Sequence, residues 1–295
     1  MRSRPQISVI ITTYNQPKWL AKVLAGYAYQ TFMDFEMIVA DDGSANETAA
    51  VVVAAMSQYP YPIRHLWQPD DGFRKCRILN KAILQARAGY LVFSDGDCIP
   101  RNDFLETHAT NCAPGTYLSG GYVKLPKTPS DAIDMSVIER GDHCRYRWLR
   151  QHGLNRFDNI RKLCVRGYVA HWMNRFSGVR AGWHGHNASC WKDDAIRVNG
   201  FDERMGWGGE DREFGYRLVN SGVQPRRIRY TAICVHLDHG RPWRDEKILA
   251  ENDRLREKTR QSGQTKTEYG ISHLSVAKSG QRNGHAIKTN RAESA

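Results

Sequence analysis

Two acidic pairs in this chain are spaced for chemistry. The first is Asp95 and Asp97, two apart in Ser94-Asp95-Gly96-Asp97-Cys98, directly after the apolar run Tyr90-Leu91-Val92-Phe93. Paired carboxylates are hard oxygen ligands, suited to Mg²⁺ or Mn²⁺ held together with substrate phosphates. An Asp-x-Asp by itself reads more readily as a polar turn, so its neighbours decide its meaning. The second pair is Glu210-Asp211, which follows Gly206-Trp207-Gly208-Gly209 and opens a helix-patterned run. There the helix macrodipole favours the ionised, base-competent carboxylate; plain helix capping is the competing reading.

The elements that must position these acids alternate. Ile7 to Ile11 is strand-like and ends in Thr12-Thr13-Tyr14-Asn15; Pro17 then suits a first helical position. Phe35 to Ala40 reads as a strand closed by Asp41-Asp42-Gly43-Ser44, Asn46 to Met56 as a helix, and Ile63 to Trp67 as a third strand. Arg74 to Arg87 carries Ile78, Leu79, Ala82, Ile83 and Ala86 at helical spacing before the strand at Tyr90. Repeated strand–helix alternation predicts an α/β fold with a doubly wound, mostly parallel sheet. Its strand ends are where ligands bind. No Gly-x-Gly-x-x-Gly or P-loop lysine appears, which weighs against dinucleotide and P-loop chemistry. Further on, Tyr117 to Leu125 reads as one strand. A short helix reaches Val198, a helix from Glu210 stops at Gly222, and Arg229 to Val235 is a β-rich run ending in His236-Leu237-Asp238-His239. Arg244 to Arg260 reads as a charged helix.

At 295 residues the chain can bury a sizeable core. No apolar run reaches the roughly 18 residues of a membrane span. The opening Met1-Arg2-Ser3-Arg4-Pro5 leads into a strand pattern, not an apolar signal core. Seven scattered cysteines without a Cys-x-x-Cys argue for a reducing compartment, with the cytoplasm as default. The net charge of +12 points to an anionic partner. Its densest stretch runs from Arg140 to Arg180, where ten Arg/Lys stand against two Asp.

Taken together, ISVIITTYNQPKWL, FEMIVADDGS, FRKCRILNKAI, YLVFSDGDCIP, GFDERMGWGGEDREFGYRL and CVHLDH resemble the family-2 glycosyltransferases of the GT-A fold, over roughly residues 6 to 240. The Gly-Trp-Gly-Gly-Glu-Asp run is similar to the C-terminal motif of β-1,4-galactosyltransferases and related bacterial sugar-polymer enzymes. The resemblance implies a UDP-sugar donor, with Thr12, Tyr14 and Asp42 lining the uracil pocket. A buried carboxylate accepting from a base N–H and a tyrosine face stacking on the ring agree with that. It further implies that Arg74 reaches the nucleotide, that Asp95 with Gly96 meets ribose or metal, and that Asp97 holds a metal bridging the phosphates. His236 is the implied third protein ligand, with His239 its rival. Asp211, beside Glu210, is implied as the acceptor-side base, and Trp207 packs on a sugar face within a mobile glycine loop. Relatives that retain configuration carry Asn after the Glu; Asp211 here favours inversion.

The expected organisation is a nucleotide-sugar half over 1–125, a basic and aromatic insert over 126–180, an acceptor half over 181–260 and a disordered tail over 261–295. Basic residues interleaved with aromatics, as in Arg145-Tyr146-Arg147-Trp148, suit a lipid-linked glycan acceptor or an anionic membrane surface. Single-stranded nucleic acid is the less favoured partner. A nucleotidyltransferase of related fold and a non-enzymatic RNA-binding protein are the competing functions.

Overall fold

The computed structural model describes residues 4–155, 160–240 and 245–278. Ten strands are present among them: β1 (Ile7–Thr13), β2 (Phe35–Asp41), β3 (Ile63–Trp67), β4 (Tyr90–Asp95), β5 (Cys98–Pro100), β6 (Thr116–Ser119), β7 (Gly121–Lys124), β8 (Ala188–Trp191), β9 (Gln224–Arg227) and β10 (Ile233–His236). Seven form one sheet in the order β3-β2-β1-β4-β8-β6-β9, and β5-β10-β7 form a second. In the large sheet only β8 runs against its neighbours. The expected α/β, mostly parallel sheet is therefore present, with one antiparallel strand inside it.

The strand period of two sends alternate side chains to opposite faces. On β1, Ile7, Val9 and Ile11 join one core cluster and Ile10 the other. The first cluster lies beneath helices Pro17–Ala28 and Asn46–Gln58 and takes in Ile99, Val123 and Val235 of the small sheet. The second lies beneath helices Lys75–Gln85 and Glu210–Asn220. Each helix thus sits on the face that its apolar stripe demands.

The run read as one strand from Tyr117 to Leu125 is two strands in two sheets. The chain breaks at Gly120 because Asn187 occupies the crossing: its Nδ2 donates to Gly121 O at 2.8 Å and Ala232 O at 3.0 Å. A Cβ on Gly120 would come within 2.0 Å of Asn187 Oδ1. Among the described residues of 126–180, the stretch expected as an insert, the chain forms short helices, the longest Gly167–Phe176. Residues 261–278, expected to belong to a disordered tail, are instead folded onto the body. Helix Glu246–Ser262 packs on Glu210–Asn220, Thr267 Oγ1 donates to buried Asp202 at 2.7 Å, and Ile271 joins the second core cluster. Residues 279–295, and Arg244 of the predicted charged helix, lie outside the described residues.

Candidate active site

The strand order reverses beside β1: β2 and β3 lie to one side of it and β4 to the other. Carboxyl-end loops diverge at such a point and leave a crevice. Thr12 and Asp95 pair there in register, and Thr12 Oγ1 donates to Asp95 Oδ1 at 2.6 Å. Gly96 N donates to Thr12 O at 2.8 Å, which turns Asp97 back toward the small sheet. The crevice is a cleft of about 420 Å³ lined by Thr12, Tyr14, Asp42, Asp95, Gly96, Asp97, Trp207 and His236, among others.

One end of the cleft is built on Asp42. Its carboxylate accepts from Gln68 Nε2 at 2.6 Å and from Arg74 N at 2.8 Å. Burial raises the Asp42 pKa above the ordinary value, and those two hydrogen bonds oppose the rise. Asp41, by contrast, is fully buried and structural, accepting from Ser44 N at 2.8 Å with His65 Nε2 also 2.8 Å away. Tyr14 donates to Asp70 Oδ2 at 2.9 Å and leaves its ring exposed at the cleft edge.

Arg74 departs from expectation. Its guanidinium is exposed and pairs with Asp71 Oδ2 at 2.8 Å, so only its backbone N–H serves the cleft. The cation that enters is Lys75, whose Nζ donates to Asp95 Oδ1 at 3.2 Å and lies 3.7 Å from Glu210 Oε1. Burial disfavours the ammonium, but Asp95, Asp211 and Glu210 outweigh it and hold Lys75 well above the ordinary lysine value. Asn80 is buried on the same helix and tied to Phe201, and Arg77 is exposed.

At the other end, β10 and the loop after it bring His236 and His239 to Asp97. Asp97 Oδ2 lies 2.9 Å from His239 Nε2 and 3.7 Å from His236 Nε2. Burial alone would raise the Asp97 pKa; the imidazoles outweigh it and hold the carboxyl well below the usual range. His236 Nδ1 lies 2.8 Å from Leu237 O and His239 Nδ1 2.7 Å from Gly240 O. Carbonyl oxygens only accept, so in both rings Nδ1 carries hydrogen. A ring without a second proton would then aim its Nε2 lone pair at a carboxylate oxygen. That arrangement is repulsive unless a positive charge, a proton or a metal ion, stands among them. The donor set thus fits a divalent cation. Cys98 Sγ also reaches Asp97, at 3.2 Å, but burial pushes that thiol far up, so it stays a protonated, poor ligand for a hard ion. Asp95 faces Thr12 and Lys75 instead of joining this group.

The helix-opening acids stand behind Lys75, which lines the cleft. Glu210 is buried, accepts from Gly208 N at 2.9 Å, and is raised to about 7 by burial and by Asp211, with Lys75 opposing. Asp211 Oδ2 accepts from Gly185 N at 2.9 Å, while its Oδ1 is buried with no partner among the described residues. A Cβ on Gly185 would fall 2.6 Å from that Oδ1, so only glycine permits the approach. The Trp207 loop is more firmly held than its glycines imply. Asn252 Nδ2 donates to Gly206 O, Trp207 O and Gly208 O at 3.0, 3.3 and 2.8 Å.

Three contributors escaped the sequence reading. Lys75 was hidden behind Arg74, and a helix-start cue, the residue after the N-cap, would have found it. Asn252 sits in a run legible only as a charged helix. His186 lines the cleft with its Nε2 buried and unpartnered among the described residues, and burial lowers it to about 3.

The profile described as "Glycosyl transferase family 2" matches residues 8–171, and that described as "N-terminal domain of galactosyltransferase" matches residues 171–240. Validoxylamine A glucosyltransferase of Streptomyces hygroscopicus subsp. jinggangensis (strain 5008) is 30% identical over 233 residues, covering 74% of this chain and 52% of that protein. Chondroitin synthase of Escherichia coli is 29% identical over 246 residues, covering 75% and 33%. The chain thus spans about half or less of the length of these relatives. Among solved structures, the mannosyltransferase PcManGT from Pyrobaculum calidifontis in complex with GDP-Man and Mn²⁺ superposes with a TM-score of 0.54 at 17% identity, over 96% of this chain and 66% of that one. S. aureus TarS 1-349 in complex with UDP-GlcNAc gives a TM-score of 0.57 at 17% identity, over 85% and 65%. At those identities the likeness carries the fold alone, and that fold is the GT-A arrangement expected.

Proposed function

The chain belongs to glycosyl transferase family 2, and from that premise we propose that it moves a hexosyl or N-acetylhexosaminyl group from a UDP-sugar to a hydroxyl of a glycan or lipid-linked glycan, with inversion. The observation that carries the reading is Asp211. One carboxylate oxygen accepts from the Gly185 N–H, and the other is buried with no hydrogen-bond partner among the described residues, which leaves it an acceptor for a proton.

In this reading Asp42 and Tyr14 receive the base, and Trp207 lies against the donor sugar. Asp97, His236 and His239 would hold Mn²⁺ or Mg²⁺, which when bound supplies positive charge to the diphosphate. Asp211 takes the acceptor hydroxyl's proton as that oxygen bonds to the anomeric carbon. The anomeric C–O bond to the diphosphate breaks, and its electron pair leaves with UDP. Lys75 balances Asp95 and Glu210, which keeps two neighbouring carboxylates in place beside the reacting groups.

The biology that fits is bacterial surface-polysaccharide synthesis at the cytoplasmic face of a membrane. Among the described residues no helix is long and apolar enough to cross a membrane. Helix Gly167–Phe176 nevertheless exposes Tyr168 (95%), Trp172 (63%) and Phe176 (62%) at i, i+4 and i+8. With the neighbouring basic residues, that stripe suits peripheral contact with an anionic surface.

The test is UDP release from a panel of UDP-sugars with Mn²⁺ or Mg²⁺, beside Asp97→Asn and Asp211→Asn, with UDP binding measured on the same samples. Metal-dependent release lost in both variants is expected. Wild-type protein that neither releases UDP nor binds it more tightly with metal overturns the reading.

A further inference from the structure

A second cleft, of about 930 Å³, opens on the other side of the segment His184-Gly185-His186. Arg175, Arg180, Arg212, Arg226, Arg227 and His184 line it, and no Asp or Glu does. The arginines are not equivalent. Arg227 ties down its surroundings, donating to Asn174 O, Arg175 O and Val179 O at 3.0, 3.0 and 2.6 Å, and to Ser177 O. Arg226 donates to Asn111 O at 3.2 Å. Arg175, Arg180 and Arg212 are exposed, and among the described residues no carboxylate pairs with them. Guanidinium groups gathered on a concave wall without counter-charges focus a positive potential into the space between them. Their planar forks match carboxylate and phosphate oxygens.

The dividing wall joins this cleft to the chemistry. His186 faces the first cleft and His184 the second, with their rings stacked 5.6 Å apart. Between them, Gly185 N holds Asp211, and the next residue, Arg212, points into the basic cleft. A ligand seated among the arginines therefore lies against His184 and Arg212, the chain neighbours of Gly185 and Asp211.

We propose that this cleft is the acceptor subsite and that it selects an acceptor saccharide bearing an anionic group, a carboxylate or a phosphate, close to the hydroxyl that is extended. The proposal rests on the reading of Asp211 as the acceptor-side base, and it adds the class of acceptor.

The experiment titrates the full chain, with UDP and Mn²⁺ present, with four probes. These are a glucuronate-terminated tetrasaccharide, its carboxyl-reduced counterpart, a short glycerol-phosphate oligomer and a single-stranded oligonucleotide. Binding of the glucuronate-terminated or the glycerol-phosphate probe at least about tenfold tighter than the reduced saccharide is expected, with that preference lost in the Arg175→Ala/Arg180→Ala double variant. The two anionic arms separate the carboxylate from the phosphate. UDP binding should be the same in the variant and in wild type, which separates failure here from failure of the donor site. Equal binding of charged and neutral saccharides, a double variant that keeps the preference, or no saccharide binding overturns the proposal. So does an oligonucleotide that outcompetes both the glucuronate-terminated and the glycerol-phosphate probes.

Discussion

The two clefts that meet at Gly185 are built on opposite principles. The first is acidic and assembled from strand ends: Asp42 follows β2, Asp95 closes β4, Asp97 follows the turn and His236 ends β10. The second is basic and assembled from a helix, two loops, a helix start and an edge strand. A sheet end fixes carboxylates rigidly, whereas exposed arginines provide field and adaptable recognition. Precision is therefore concentrated where bonds would break, and the charge that attracts a partner is held one wall away.

The sharpest way to break this contrast is Asp211→Asn, which keeps the size and the Gly185 contact but removes the base. Transfer should fall by about 10²–10⁴-fold while UDP binding persists. Retained transfer, followed as product formed per unit time, would remove Asp211 from the chemistry. Next, Asp97→Asn or chelation should abolish metal-enhanced UDP binding in calorimetry while leaving metal-free binding near its original value. An unchanged metal response would place the cation elsewhere.

Lys75→Met tests whether the acidic cleft needs its internal cation. Removing one partner of a largely buried ionic cluster costs about 3 kcal/mol, so denaturant midpoints should drop clearly. A variant as stable as wild type would show that Asp95 and Glu210 do not depend on it. Asn252→Ala should be milder, at about 1–3 kcal/mol, because three carbonyls of the Trp207 loop lose a donor. Its KM for donor should rise, and an unchanged KM would show that the loop holds itself.

The last effect is a pH dependence. Glu210 is raised to about 7 from 4.5, so between those values the folded protein binds more protons than the unfolded chain. Its contribution is therefore largest at low pH and declines as pH rises to 7. Glu210→Gln should flatten the fall in Tm between pH 5 and 8 by about a few degrees relative to wild type. Parallel curves would show that Glu210 is already ionised throughout that range.

Much of the acidic cleft was legible because each part is a short contiguous block, an apolar strand ending in a polar cluster. Such blocks announce both the strand and the side chains at its tip. Arg74 and Lys75 show where that legibility ends. Arg74 is the non-helical residue before the first turn, and Lys75 is the first helical one. One residue of helical phase is about 100° of rotation, enough to exchange the exposed cation for the buried one. The Gly120 break was missed for another reason: alternation continues across it, and the wedge that splits the sheets, Asn187, comes 67 positions later in the chain.

By itself the sequence determined the strand–helix alternation, the places along the chain of the large sheet's first four strands and the acids that follow the second and fourth, because those follow from local periodicity. Tertiary structure alone decided that Lys75 bridges Asp95 and Glu210, that His239 approaches Asp97 more closely than His236 does, that Asn252 fastens the Trp207 loop, and that arginines from residues 175 to 227 share a cleft. These depend on how distant segments pack. Side-chain periodicity records which face of an element is buried, and it carries no information about which other segment covers that face.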